Sequence, residues 1–239
     1  MSPVPVYSLR PQTGTSMGIG EKLAITLAKA GTNPILFSQT EDKLQATVES
    51  VKNAAPDAKV SYFVVDIQSY DSVEEAVEKA VQQCGDIDIL VNNVGFLPCS
   101  ASERTEKTTY IYAGLALGAP SRFNELSIND ILQMNQTNVN GTMFMTYTVL
   151  NASMMKRGSG TILNVSSVTG LEVPPFPGEA VYHAKKACME GFSNALRTEL
   201  VGTDIKVLVI RPDVVDTNFH EQRVGYDEEM HSEFFKGFE

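Results

Sequence analysis

Thr13-Gly14-Thr15-Ser16-Met17-Gly18-Ile19-Gly20 leads into Lys22 to Ala30, a run that reads as a helix. Its glycines fall at the spacing G-x-x-x-G-x-G, not G-x-G-x-x-G. Glycines in such a turn let the backbone bend tightly and approach a pyrophosphate, which then lies at the positive end of a helix. An ordinary Gly-rich turn can look the same, so the weight of the pattern comes from its surroundings.

Downstream the chain alternates strand-like and helix-like stretches, the order that a doubly wound parallel sheet requires. Asn33 to Ser38 predicts a strand and Glu41 to Asn53 a helix. Val60 to Asp66 predicts a strand, and Ser72 to Cys84 a helix with Val73, Ala76, Val77 and Ala80 on one face. Strands follow at Ile87 to Asn92, Gly160 to Ser166 and Lys206 to Arg211, with helices at Asp130 to Lys156 and Ala180 to Leu200. The expected architecture is α/β, a Rossmann-like doubly wound sheet in a single domain over residues 1–239. Pro-rich Val173 to Pro177 stands between Ser167 and Tyr182 and shapes the loop there.

Tyr182 and Lys186 are four residues apart on the helix that begins near Ala180, and Ser166-Ser167 closes the preceding strand. Positions i and i+4 share a helix face, so the phenol and the ammonium point the same way. A cation beside a phenol favours phenolate and brings its pKa down from about 10 toward neutrality. Such a phenol can accept a proton from an alcohol or give one to a ketone, and a neighbouring Ser hydroxyl can hold the reacting oxygen. The spacing by itself is common on helix surfaces.

In order along the chain, these motifs resemble the short-chain dehydrogenase/reductase family, from Thr13 to about Phe235. The resemblance implies a catalytic tetrad of Asn138, Ser167, Tyr182 and Lys186. It implies cofactor contacts from Gly14, Ser16, Gly18, Ile19 and Gly20, from Ser38 and Gln39, and from Asp66 and Ile67. Asn92 and Asn93 look like the start of the family's Asn-Asn-Ala-Gly, and Pro212, Val215 and Thr217 match the stretch flanking the nicotinamide. Tyr182 and Lys186 would also touch the nicotinamide ribose, and Asn138 would hold a water that relays protons.

Leu196 to Leu200, Ile205 to Pro212 and Thr217 to Phe219 look most like the NADP-dependent 3-hydroxy acid dehydrogenases, which include serine and allo-threonine dehydrogenases. The implied reaction interconverts a secondary alcohol and its ketone, with Arg223 a partner for a substrate carboxylate. The alternatives are a broad ketone or polyol reductase, and a family member that binds nucleotide without turnover. An NAD enzyme would carry an acid at the end of the second strand, where this chain has Ser38. Gln39 follows in place of the Arg that grips a 2′-phosphate, so NADP is expected with modest preference. Read without the resemblance, Ser38-Gln39-Thr40 is a strand-to-helix turn with Thr40 as the helix N-cap.

Composition sets outer limits. The chain has 239 residues, 43% of them hydrophobic, enough for one α/β core. A net charge of −10 argues against nucleic acid and anionic membrane partners. Three cysteines without paired spacing point to a reducing compartment, and the N-terminus lacks a signal-peptide pattern, so cytoplasm is expected. The three histidines lack metal-ligand spacing, so no metal is expected. The expected partners are a small-molecule substrate and further copies of the chain, as homodimer or homotetramer.

Three stretches depart from the family pattern. Arg10 and Pro11 stand where a buried apolar strand is expected, which predicts a disturbed first strand. Residues Val94 to Tyr112 interrupt the family motif, and Ala113-Gly114 reads as its continuation. That polar, aperiodic insertion reads as a retained intron or a misplaced exon junction; the rival reading is a substrate lid. The sequence ends at Glu239, before the helix and edge strand with which the family normally closes its sheet, so a missing C-terminal edge is expected.

Overall fold

The computed structural model describes residues 9–13, 18–93, 123–173 and 180–213. The expectations placed on Gly14, Ser16, Val215, Thr217, Arg223, the insertion 94–112 and the C-terminal edge lie outside these residues. Six strands form one parallel sheet in the order β3-β2-β1-β4-β5-β6. They are β1 (Leu9–Thr13), β2 (Asn33–Ser38), β3 (Ser61–Val64), β4 (Ile89–Asn92), β5 (Ser159–Val165) and β6 (Asp204–Ile210). The helices between them are α1 (Ile19–Lys29), α2 (Glu41–Ala54), α3 (Tyr70–Cys84), α4 (Ile128–Asn135), α5 (Gly141–Val149), α6 (Met155–Arg157) and α7 (Ala180–Glu199).

Alternation along β2 shows how both faces are covered. Ile35 and Phe37 pack with Val73, Val77, Met145 and Leu196, from α3, α5 and α7. Leu36, between them, packs with Ala24, Ala28, Leu44 and Val48, from α1 and α2. Successive residues of a strand point to opposite faces, so an unbroken apolar run such as Pro34 to Phe37 marks a strand covered on both sides. The α3 face read from the sequence is correct: Val73, Ala76, Val77 and Ala80 are all buried. Among the described residues, no helix is long and apolar enough to cross a membrane.

Four expectations need correction. The first strand does form: β1 runs parallel to β2 from Leu9↔Asn33 to Thr13↔Phe37 and meets β4 at Gln12↔Val91. Successive residues of a strand direct their N–H groups to alternate neighbours, so Pro11 removes one donor and leaves the others. β3 is shorter than expected, Ser61–Val64. Beyond it the Asp66 N–H donates to Ser72 Oγ (3.0 Å) and the Asp66 carboxylate accepts from the Gln68 N–H (3.0 Å), which turns the chain out of the ladder. Thr40 occupies the N-cap of α2 in extended conformation but makes no side-chain cap bond.

The fourth concerns the long helix expected over 130–156. It is helical from Ile128 to Arg157, with two π-helical turns, Gln136–Asn140 and Leu150–Met154. A π turn holds one extra residue and is a frequent companion of functional sites. The first of these carries Asn138.

Candidate active site

The C-terminal ends of parallel strands face one edge of the sheet, and there an open α/β sheet binds its ligands. Gly18, Asp66, Asn93, Ser167 and Pro212 each follow a strand at that edge, and Ser38 is the last residue of β2. Gly18 has φ of 63°, the left-handed region, and its carbonyl accepts the Lys22 N–H (3.2 Å), so it turns the chain into α1. Ile19 and Gly20 open that helix and Gly20 is buried, which sets the positive end of α1 at this edge. On the next strand Gln39 is exposed, and its amide donates to the Asp66 carboxylate at 2.5 Å. Ile67 is buried behind Asp66.

Asn92 and Asn93 part company. Asn92 is fully buried, and its amide donates to Asn164 Oδ1 (2.8 Å) and Thr146 Oγ1 (3.0 Å). Asn164 donates in turn to Ser193 Oγ (2.8 Å), and Ser193 to the Met189 carbonyl (2.7 Å). The Asn92 side chain thus joins β4 to β5, α5 and α7 and presents no surface to a cofactor. Asn93, half-buried, is the one at the opening of the edge.

The four expected catalytic residues come from three segments. Ser167 leaves β5 in extended conformation and caps a short 3-10 turn, accepting from the Thr169 N–H (3.3 Å) and hydroxyl (3.1 Å). Tyr182 and Lys186 lie on α7, with Lys186 Nζ 5.7 Å from the centre of the Tyr182 ring. Lys186 is buried and donates to the Val165 carbonyl at 2.8 Å, two residues before Ser167. Burial pulls its pKa down to about 8, against the opposing charge of Glu190. Asn138 is buried in the π turn against which α7 packs, its amide donating to the Met134 carbonyl (2.9 Å).

Gly170 sets how closely Ser167 approaches α7. A Cβ there would lie 3.0 Å from Ser166 Oγ and 3.2 Å from the Lys186 carbonyl. Gly170→Ala is expected to cost about 1–2 kcal/mol of stability by overpacking. It should also cut kcat several-fold, because a small shift of Ser167 relative to Tyr182 is costly in rate. Melting and steady-state rates measured on the same preparation check this; a parent-like kcat would show that the contact does not set the geometry.

Several neighbours of the site were not singled out by sequence reasoning. Lys185 is buried, its ammonium 4.8 Å from the Tyr182 ring centre and without a hydrogen-bond partner among the described residues. Burial first, and the charge of Lys186 second, push its pKa well below the ordinary value. Glu190, one turn beyond Lys186, is buried and takes a bidentate contact from Arg211, Nε at 2.9 Å and Nη2 at 2.7 Å. The signal for Glu190 was present in the series 182, 186, 190 on one helix face. Lys185 carried none.

Comparisons with known proteins bear on the family and the fold. Residues 12–225 match the short chain dehydrogenase family. The NADP-dependent 3-hydroxy acid dehydrogenase of Schizosaccharomyces pombe is 29% identical over 95% of this chain and 79% of its own length. Among solved structures, an actinorhodin polyketide ketoreductase variant with NADPH superposes with a TM-score of 0.80 at 27% identity, over 97% of this chain and 81% of that one. The closed form of a serine dehydrogenase complexed with NADP+ gives 0.77 at 28%, over 95% and 81%.

Proposed function

We propose that this chain, which belongs to the short-chain dehydrogenase family, uses NADP to interconvert a 3-hydroxy acid and its ketone. That it is an oxidoreductase follows from the family; the substrate and the residue roles are our reading. The observation that carries the reading is the Tyr182 ring flanked by the Lys186 ammonium at 5.7 Å, with Lys186 tied to the strand that ends at Ser167.

The residues present fit a nicotinamide dinucleotide. A glycine of positive φ opens α1, Ser38 puts no acid at the end of β2, and the buried Lys186 ammonium stands at the same sheet edge. Gly18 to Gly20 would hold the pyrophosphate, Gln39 and Asp66 the adenosine side, and Lys186 the nicotinamide ribose. The bound nicotinamide supplies or accepts the hydride. Tyr182 takes the proton from the alcohol, or gives it to the ketone, at its phenolic oxygen. The Lys186 charge favours the phenolate form, and Ser167 Oγ orients the substrate oxygen. Asn138, buried in the π turn packed on α7, would hold the water that relays protons through Lys186.

Oxidation of L-serine and of 3-hydroxybutyrate with NADP or NAD, followed by cofactor absorbance, tests the function. Absence of turnover on both, with turnover on simple ketones or polyols, would replace the 3-hydroxy acid reading by a broad reductase.

Cofactor preference gives a second test. NADPH is expected to bind more tightly than NADH, by a modest factor, because Gln39 is neutral and already bonded to Asp66. Gln39→Arg should tighten NADPH binding by about 1–2 kcal/mol through a charge-assisted phosphate contact. Asp66 would compete for the new guanidinium and holds the gain to that range. Fluorescence titration of both cofactors measures it, and tighter NADH binding by the parent would overturn the assignment.

A further inference from the structure

Three parts of the site are carried by separate segments: Lys186 by α7, Ser167 by the end of β5 and Pro212 by the end of β6. One side chain joins two of them. Glu190 stands a turn beyond Lys186 and is 5% exposed. Its two carboxylate oxygens accept from Nε and Nη2 of Arg211, the residue before Pro212. The Ser166 hydroxyl, on the residue before Ser167, donates to the Lys186 carbonyl (3.5 Å) and brings in the end of β5. The two strand ends are themselves bonded, Ser166 N–H to the Ile210 carbonyl (2.8 Å) and Val168 N–H to the Pro212 carbonyl (3.2 Å).

We propose that Glu190 is a positioning residue of this site, acting through Lys186: through Arg211 its carboxylate clamps the α7 turn that carries Lys186 to the end of β6, and it keeps the Lys186 amine charged. The proposal rests on the functional reading above in assigning a use to that charge. Burial alone would raise the carboxyl pKa of Glu190, but the Arg211 contact leads the influences that more than offset this and hold it below its ordinary value. Its negative charge opposes the burial that pulls Lys186 down.

The surroundings of Lys186 make Glu190 the counter-charge. On α7 itself the neighbours are Tyr182, the second cation Lys185 and Glu190. From β5 Lys186 meets the neutral Val165 carbonyl, and behind its backbone lies Gly170. The π turn packed on α7 contributes the neutral Asn138. Just past β6 comes Arg211, whose charge is met by Glu190, and two turns further along α7 Arg197 also acts on Glu190. A bidentate Arg–carboxylate contact fixes orientation as well as charge, which a lysine or an amide would not reproduce.

The experiment compares Glu190→Gln with Arg211→Gln in the full chain. Isotope-labelled lysine and NMR titration read the Lys186 midpoint without need of turnover. The pH profile of NADP-linked oxidation reads its consequence. Removing the carboxylate charge should lower the Lys186 midpoint by roughly one pH unit. The profile should then fall away about one pH unit earlier on its alkaline side, with kcat down about twofold at pH 7 and about fivefold at pH 8 and KM for substrate little changed. Arg211→Gln breaks the clamp but leaves Glu190 charged, so its Lys186 midpoint should stay or rise. A merely structural contact would move both variants the same way.

If Glu190→Gln does not fold, the double variant Glu190→Gln/Arg211→Gln replaces the ion pair by two amides and must still show a lower Lys186 midpoint than Arg211→Gln. An unchanged midpoint in a folded Gln variant overturns the proposal. A lowered midpoint in a protein with no oxidoreductase activity would sink the functional reading and leave the clamp standing.

Discussion

Tyr182→Phe is expected to lower kcat by about a thousandfold, while the Kd for NADPH changes little. The substitution removes one oxygen and keeps the ring. That ring is the part that packs, with Lys185 Nζ 4.8 Å and Lys186 Nζ 5.7 Å from its centre. The loss corresponds to about 4 kcal/mol of transition-state stabilisation. It falls on kcat because the proton moves between Tyr182 and the substrate oxygen only as the carbinol bond changes. Single-turnover reduction of a ketone, beside fluorescence titration of NADPH, separates the two effects. Activity within a few-fold of the parent would remove Tyr182 from the mechanism.

Asn164→Ala is expected to carry the largest stability loss of the variants considered, about 2–4 kcal/mol. Asn164 is fully buried in β5, accepts from Asn92 and donates to Ser193. Its truncation leaves one Asn92 N–H without its acceptor and Ser193 Oγ without its donor, in a place no water reaches easily. The cavity adds to the cost of those unmatched groups. For a domain of this size the loss corresponds to a Tm lower by about 6–12 °C. Thermal melts measure it, and a fall of less than about 2 °C would show that the buried network adds nothing net.

These two residues also show what the sequence could and could not reveal. Tyr182 was legible because its partner Lys186 is local: a helix repeats every turn, and four residues suffice to bring the groups together. The strand ends were legible because apolar runs stop there, which located Ser38, Asp66, Ser167 and Pro212. The bond from Asn92 to Asn164 was not legible, because the two lie 72 residues apart and nothing local links them. Arg211 was hidden for the same reason, 21 residues from Glu190. Glu190 itself continued the spacing of Tyr182 and Lys186, but a charged residue on an amphipathic helix reads first as solvent-facing.

The π turn at Asn138 left no trace in the hydrophobic pattern, since one extra residue shifts a helical face without erasing it. The first strand was misjudged in the other direction. Arg10 and Pro11 argued against a central strand, yet pairing with β2 along Leu9–Thr13 brings enough partners for the ladder to tolerate them.

The sheet order also imposes a sequence of events in time. β1, β2 and β3 form one half of the sheet and β4, β5 and β6 the other, and the halves meet where Gln12 pairs with Val91. The β1, β2 and β3 pairings close short crossovers, whereas pairing β4 with β5 (Ile89↔Thr161) and β1 with β4 (Gln12↔Val91) each closes a loop of about 70–80 residues. Contacts between such distant segments reward the chain only after the entropy of closure has been spent, so these two pairings on either side of β4 are expected to follow those of β1, β2 and β3. The ligand edge straddles that same junction. A dinucleotide lying across it would bind only once these long-range pairings have formed, and would then hold them together.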